Sequence, residues 1–357
     1  MSKRALIAMS GGVDSSVAAC LAAGQGFECA GATMKLFANE DIGVDREKTC
    51  CSLEDVEDAR AVAYSLGMEY YVFNFTLDFK KQVIGKFISG YQNGATPNPC
   101  IDCNRYMKFE KLLSRASELS FDYIVTGHYA RIEYDAGQDR HLLKKAADEN
   151  KDQSYVLYSM TQPQLSRTLL PLGGLCKTEI RQIALRQGFV NAKKRDSQDI
   201  CFVPGGDYAK FIELASGNVC REGDFVDTGG RVLGRHKGLI HYTIGQRRGL
   251  GLAMKTPMYV QSKNTEDNTV TLCTNDKLFS KTLTAADFNW IACEPPGEPL
   301  RVKAKIRYSH PGDWAVAWVL PDGKVHIEFD WPQRAIARGQ AVVLYDNDIV
   351  VGGGTIQ

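Results

Sequence analysis

The stretch Ala5-Leu-Ile-Ala-Met9, followed without a break by Ser10-Gly-Gly-Val-Asp-Ser-Ser16, limits the fold more than any other part of the chain. A short apolar run, a glycine turn and a helix from about Ser15 to Gln25 make a strand–turn–helix unit. The pattern recurs. Cys29–Met34 reads as a second strand, and Ser52-Leu-Glu-Asp55 as a capping-box variant opening a helix that ends near Gly67. Tyr70–Phe75 is a third strand, Phe79–Tyr91 and Phe109–Leu119 are helices, and Tyr123–Thr126 is a fourth strand. Such alternation specifies an α/β domain with a parallel sheet covered on both faces. Ligands of these sheets bind beyond the C-terminal strand ends, where Ser10–Ser16 and Thr126-Gly-His128 fall.

After about residue 205 glycine becomes frequent and helical periodicity fades. Strands are expected at Arg301–Tyr308, Ala315–Leu320, Lys324–Phe329, Gln340–Leu344 and Ile349–Gly353, with turns at Pro321-Asp-Gly-Lys324 and Asp346-Asn-Asp348. Five closely spaced strands suggest a small antiparallel β-barrel. The expected domains are 1–205 (parallel sheet), 206–280 (a small central β-containing module) and 281–357 (the barrel), with Glu294-Pro-Pro-Gly-Glu-Pro299 inside or just past a linker.

Composition narrows the class. At 44% hydrophobic and 24% charged residues, the chain is neither disordered, collagen-like nor coiled-coil. No apolar stretch approaches the roughly 20 residues of a membrane span, and the N-terminus reads as a strand rather than an export signal. With 43 basic against 42 acidic residues, any nucleic-acid site must be a local patch. Arg247-Arg248 and Lys193-Lys-Arg195 are candidates, set against a plain solvated face. Eleven cysteines, without an export signal, fit a reducing cytoplasmic setting in which most thiols are small buried hydrophobes.

Three motifs carry chemistry. In Ser10–Ser16, Gly11 and Gly12 let backbone approach an anion, the helix N-terminus supplies N–H donors, and Ser10, Ser15 and Ser16 add hydroxyls. A bare Ser-Gly-Gly is merely a capped turn, but the full heptad in this context favours nucleotide binding. Asp14 would repel phosphate, which leaves it helix capping or holding Mg²⁺. The segment is no Walker A loop, and the decoy Gly249–Thr256 has Met254 where glycine is required. In Thr96-Pro-Asn-Pro-Cys-Ile-Asp-Cys-Asn104, Cys100 and Cys103 have a spacing shared by redox dithiols and metal ligands. Asp196-Ser-Gln-Asp-Ile-Cys-Phe202 places Cys201 where the α/β texture ends, and for any single cysteine a structural thiol is the ordinary reading.

Ser10–Ser16 resembles the PP-loop of ATP pyrophosphatases. The three motifs in this order resemble the tRNA-specific 2-thiouridylase family, together with Cys51–Arg60, Thr126-Gly-His-Tyr-Ala-Arg131, Lys151-Asp-Gln-Ser-Tyr155, His241–Leu250 and Arg307-Tyr-Ser309. The resemblance implies adenylation of the O2 of a tRNA wobble uridine by ATP and sulfur transfer to C2. The position matching Cys201 carries a persulfide from an upstream sulfur donor. That persulfide attacks C2, or the thiol matching Cys103 attacks it and releases sulfide; either route leaves a Cys103–Cys201 disulfide. Ala8, Met9, Ser10, Gly11, Gly12, Val13, Asp14, Ser15 and Met34 are then expected to line the ATP site, with Gly127 on the adenosine. Asn98, Pro99 and Cys100 are expected against the target base, and His128, Lys151, Asp152, Gln153, Arg307, Tyr308 and Gln340 against tRNA. An electropositive nucleotide site is expected to raise the thiolate fraction of these cysteines.

Some members of the family carry Asp where this chain has Cys100, as a candidate general acid/base, so that role is vacant unless Asp102 supplies it. Cys100, Cys103 and Cys201 also form a three-thiol set for an oxygen-sensitive iron–sulfur cluster with one open iron, whereas the persulfide route needs two thiols. Structural zinc lacks an evident fourth ligand. Two rivals remain: another adenylating enzyme of the same loop class, indifferent to Cys103 and Cys201, and a non-enzymatic RNA-binding or redox protein.

Overall fold

The computed structural model describes residues 2–37, 53–194, 200–217 and 219–357. The adjacent Cys50 and Cys51, Ser52 and Arg195–Asp199 lie outside the described residues.

The N-terminal domain is built on strands β1 (Arg4–Ala8), β2 (Glu28–Lys35), β3 (Glu69–Asn74), β4 (Tyr123–Val125) and β7 (Thr168–Leu169). They form one parallel sheet in the order β3-β2-β1-β4-β7. Helices α1 (Val13–Gly24), α2 (Leu53–Ser65) and α5 (Lys177–Arg186) cover one face. The other face carries α3, which runs through Thr76–Phe79, Lys80–Ile84 and Gly85–Gln92, and α4, which runs through Pro99–Asp102, Cys103–Leu112 and Leu113–Glu118. The middle segment of each has the wider π geometry. Strand β1 shows why the sheet is buried on both sides: Ala5 and Ile7 enter the α1 core while Leu6 enters the α3/α4 core, all three fully buried. Each of the two larger side chains contributes on the order of 1.5–3 kcal/mol. Connections leave β1 toward β2 on one side and return as β4 on the other, so the switch point, the ordinary ligand crevice of such sheets, lies between β1 and β4.

Helix α6 (Tyr208–Ser216) sends Phe211 into the α3 core beside Phe87 and Phe202. The central sheet, in the order β10-β11-β8-β9, comprises β8 (Gly223–Asp227), β9 (Val232–His236), β10 (Tyr259–Asn264) and β11 (Thr269–Cys273).

The barrel has six strands rather than five: β12 (Phe279–Trp290), β13 (Leu300–Lys305), β14 (Asp313–Val319), β15 (Val325–Arg334), β16 (Ala341–Asp346) and β17 (Ile349–Ile356). The additional β12 pairs with both β15 and β17 and closes the sheet. Its first residues are exposed and a bulge interrupts it at Asp287, which hides the alternation that marks a strand. The proline-rich Glu294–Pro299 therefore joins two barrel strands and is not a linker between modules. A hairpin of the N-terminal domain, β5 (Ala130–Asp135) and β6 (Arg140–Lys145), abuts the barrel where Lys144 pairs with Ile349. Strand β16 is apolar on both faces: Val342 and Leu344 fill the barrel, while Ala341, Val343 and Tyr345 pack on the N-terminal domain. Among the described residues no helix is long and apolar enough to cross a membrane.

Candidate active site

Residues Met9–Gly12 turn from β1 into α1 at the switch point. Gly11 adopts φ +72°, and a Cβ there would lie 2.4 Å from the Asp55 carbonyl oxygen, so the position demands glycine. Gly12 is the N-cap and offers no capping side chain, leaving the first N–H groups of α1 directed at the crevice. The loop is cross-braced: the Ser10 N–H donates to Ser15 Oγ (3.2 Å), and the Ser15 and Ser16 hydroxyls donate to the Gly12 carbonyl (2.9 and 3.2 Å). From the β4 side, Gly127 presses on α1; a Cβ there would lie 2.8 Å from the Ser15 nitrogen. Met34 sits at the same end of the neighbouring β2, partly buried.

Asp14 caps nothing. Its Oδ1 accepts hydrogen bonds from Tyr129 OH (2.6 Å) and Lys177 Nζ (2.7 Å), and its Oδ2 accepts from the same Lys177 at 2.8 Å. Of Asp14's two expected roles, capping is thus replaced by an ion pair. Mg²⁺ does not fit Asp14 in this arrangement, because an ammonium already faces both carboxylate oxygens.

The second motif forms the start of α4. Asn98 is the N-cap, its Oδ1 accepting from the Cys100 N–H (3.1 Å), and Pro99 occupies the first helical position. Cys100 and Cys103, three apart, share one side of the helix, with Cys100 exposed and Cys103 half-buried at the start of the π segment. Burial pushes the Cys103 thiol up to about 11; Lys108 pulls it back, while Cys100 and Asp102 raise it further. The expectation of a thiolate promoted by its surroundings therefore fails for Cys103, where desolvation outweighs the nearby cation. Lys108 itself lies 3.2 Å from His128 Nε2, one residue beyond Gly127, and so connects the nucleotide crevice to the thiol helix.

Asp102 lies on the same helix as Cys100. Two residues further round the helix, its charged neighbours are Lys86, Arg105 and Asp287, and desolvation raises its carboxyl to about 6. Cys201 packs on the same core as Cys103, just before the buried anchor Phe202. Both are thiols here. Among the described residues no three His, Cys, Asp or Glu side chains gather closely enough to hold a metal ion.

Three family models match the chain in succession: a tRNA methyl transferase HUP domain over residues 3–205, a tRNA methyl transferase PRC-barrel domain over 210–274 and an aminomethyltransferase β-barrel domain over 280–356. The tRNA-specific 2-thiouridylase MnmA of Acetivibrio thermocellus is 52% identical over 356 residues, 99% of each chain. That of Clostridioides difficile is 50% identical over 357 residues, covering 100% of this chain and 99% of its own. The chain belongs to the tRNA-specific 2-thiouridylase family.

Several of the residues expected against tRNA are engaged within the protein. His128 is buried between Thr126 Oγ1 (2.8 Å), Lys108 and the Phe109 ring, and burial with Lys108 drives its pKa well down. The imidazole is therefore neutral and enclosed. Asp152 accepts from the Ala146 and Ser154 N–H groups (both 3.1 Å), and Gln153 Oε1 accepts from the Tyr129 N–H (3.0 Å). Gln340 donates to the Thr96 carbonyl (2.8 Å), helping the barrel hold the approach to Cys100. Tyr308 is 43% exposed and donates to the Asp152 carbonyl (3.0 Å), and Cys100 is among the groups that raise its pKa. Arg307 donates to the Arg334 carbonyl (3.3 Å), and both Arg307 and Lys151 are half-buried. Tyr308 remains at the surface, close enough to Cys100 for the thiol to act on it. Arg195 of the expected basic patch lies outside the described residues, and Lys194 pairs with Asp55 (2.8 Å) and Asp58 (2.6 Å).

The structure also exposes residues that motif reading passed over. Lys108 lies on the thiol helix itself, and Lys177 reaches the site from a helix distant in sequence. On the barrel, Arg301 and Lys303 flank the Trp314 ring at 5.1 and 5.3 Å, and Lys305, next along the same outer face of β13, lies 6.0 Å from the Tyr155 ring. The alternation Arg-Val-Lys-Ala-Lys over 301–305 was the available signal.

Proposed function

We propose that the protein catalyses ATP-dependent 2-thiolation of the wobble uridine of tRNA in the cytoplasm. The uridine O2 attacks the α-phosphorus of ATP and pyrophosphate leaves. The terminal sulfur of a Cys201 persulfide, loaded by a donor protein, then adds at C2. AMP departs with the O2, and the Cys103 thiolate attacks the Cys201 sulfur, leaving sulfur on the base and a Cys103–Cys201 disulfide that an external dithiol reduces. Release of sulfide by Cys103 before attack is the alternative order. When bound with the nucleotide, Mg²⁺ would shield the polyphosphate charge.

The observation that carries this reading is the run from Gly127 through His128 and Lys108 to Cys103, which links the Gly11–Gly12 turn to a half-buried thiol. A PP-loop enzyme that only adenylates has no use for that thiol. The tRNA side is supported by the cation–tryptophan stripe Arg301–Trp314–Lys303, on the strand that leads to Tyr308 and Cys100.

The test supplies purified protein with ATP, Mg²⁺, unmodified tRNA and inorganic polysulfide, whose sulfane sulfur loads Cys201 as a persulfide, and adds a dithiol afterwards to reopen the disulfide for the next turnover. AMP and 2-thiouridine should form in step, while Cys103→Ser and Cys201→Ser should lose thiolation and retain ATP binding. Full thiolation in both serine variants would overturn the reading. AMP release that ignores tRNA would favour an adenylating enzyme with another acceptor.

A further inference from the structure

Lys177 opens α5, 163 residues beyond Asp14, yet its ammonium lies over both Asp14 oxygens at 2.7 and 2.8 Å, with its side chain only 12% exposed. A cation in the first turn of a helix opposes that helix's dipole. The α5 N-terminus does not need it. Asp148 Oδ2 accepts the Lys177 N–H (3.1 Å), and Glu179 accepts the Cys176 N–H (2.7 Å). The side chain instead crosses to the N-terminus of α1, passing 5.8 Å from the Tyr129 ring.

The charge arrangement at α1 is otherwise unfavourable for its ligand. Backbone N–H groups face the crevice, but Asp14 sets a carboxylate among them, and the loop Ser10–Ser16 contains no lysine or arginine. A polyphosphate with three to four negative charges would meet that carboxylate first. In Walker A loops a lysine within the loop reaches the β- and γ-phosphates. Here the ammonium on Asp14 comes from another helix. Its flexible four-carbon stem lets it turn from a carboxylate to a phosphate oxygen without backbone movement.

We propose that Lys177 is a phosphate ligand of the ATP site, parked on Asp14 in the ligand-free enzyme and shared with the ATP polyphosphate when nucleotide binds. The inference rests on the nucleotide reading of the Ser10–Ser16 loop. The alternative is purely structural: Lys177 offsets Asp14 and touches no ligand.

The discriminating experiment measures binding of metal-free ATP, inorganic pyrophosphate and adenosine by calorimetry in EDTA. The wild type is compared with Lys177→Met, Asp14→Asn and the double variant, which removes both charges and leaves none uncompensated. Lys177→Met should weaken ATP and pyrophosphate by about 10- to 100-fold, the range of a hydrogen bond to a charged group, and leave adenosine unchanged. The double variant should bind ATP weaker than Asp14→Asn by a similar factor. Equal ATP affinity for Asp14→Asn and the double variant would overturn the proposal, since neutralisation would then be the whole role. Equal loss of adenosine would overturn it as well. A wild type that binds no ATP at all would instead overturn the nucleotide reading beneath it.

Discussion

The Asn191 side-chain nitrogen donates at once to the Gly11 carbonyl (3.0 Å) and to the Ser16 hydroxyl (2.9 Å), tying the phosphate cradle to the segment that follows α5. Asn191 is buried, at 2% exposure, so no water replaces it if it is removed. Asn191→Ala should cost about 1–3 kcal/mol of stability in urea unfolding and raise the KM for ATP more than it lowers kcat. An unchanged KM would mean that the loop holds its shape unaided.

The two loop glycines should separate folding from function. Gly11→Ala forces a β-carbon against the Asp55 backbone at a left-handed φ and should destabilise by about 2 kcal/mol or more. Gly12→Ala meets only Ser10 Oγ at 3.5 Å, so its melting temperature should match the wild type while ATP-dependent AMP formation falls. Intact AMP formation in Gly12→Ala would remove the close backbone approach from the mechanism.

With Cys103 raised to about 11, its thiolate is about 0.1% of the population at pH 8. Iodoacetamide labelling of Cys103, followed by mass spectrometry, should therefore rise steeply with pH up to about 11. Lys108→Met should slow it and move the curve upward. The unfolded chain loses this proton first, so the thiol's contribution to stability is intact below about pH 9 and lost toward pH 11. Labelling that saturates near pH 8 would refute the buried-thiol picture.

On the barrel, Trp314→Ala should weaken tRNA binding by about 1–3 kcal/mol, the usual worth of one stacked base, and leave ATP binding alone. Lys303→Gln should lower the slope of log affinity against log salt by about one. Filter binding across salt concentrations reads both, and an unaltered slope would place the RNA elsewhere.

How far the sequence reveals this molecule depends on the range of the interactions involved. Strands such as β1 are plain because both faces are buried and the residues run continuously apolar. Strand β12 is obscured by its exposed first turn of residues and by the bulge at Asp287, whose pairing with Arg105 of α4 only three-dimensional contact explains. Gly11 and Gly12 are legible because the steric demand is local. Lys177, Lys108 and Asn191 are not, since each acts on a partner far along the chain. His128 misleads for the opposite reason: polar neighbours in Thr126–Arg131 suggest a surface, yet the imidazole lies inside.

Strand β16 has a consequence for how the enzyme comes apart. Its outer face roofs Tyr155, whose hydroxyl donates to the Ala341 carbonyl (2.8 Å), while Gly353 of β17 lies flat against Tyr158 with no room for a methyl group. The barrel is thus no detachable appendage. Excising it would strip aromatic rings bare beneath the thiol helix, and heating should melt catalytic domain and barrel in a single calorimetric peak, so that one cannot be lost or transplanted without the other.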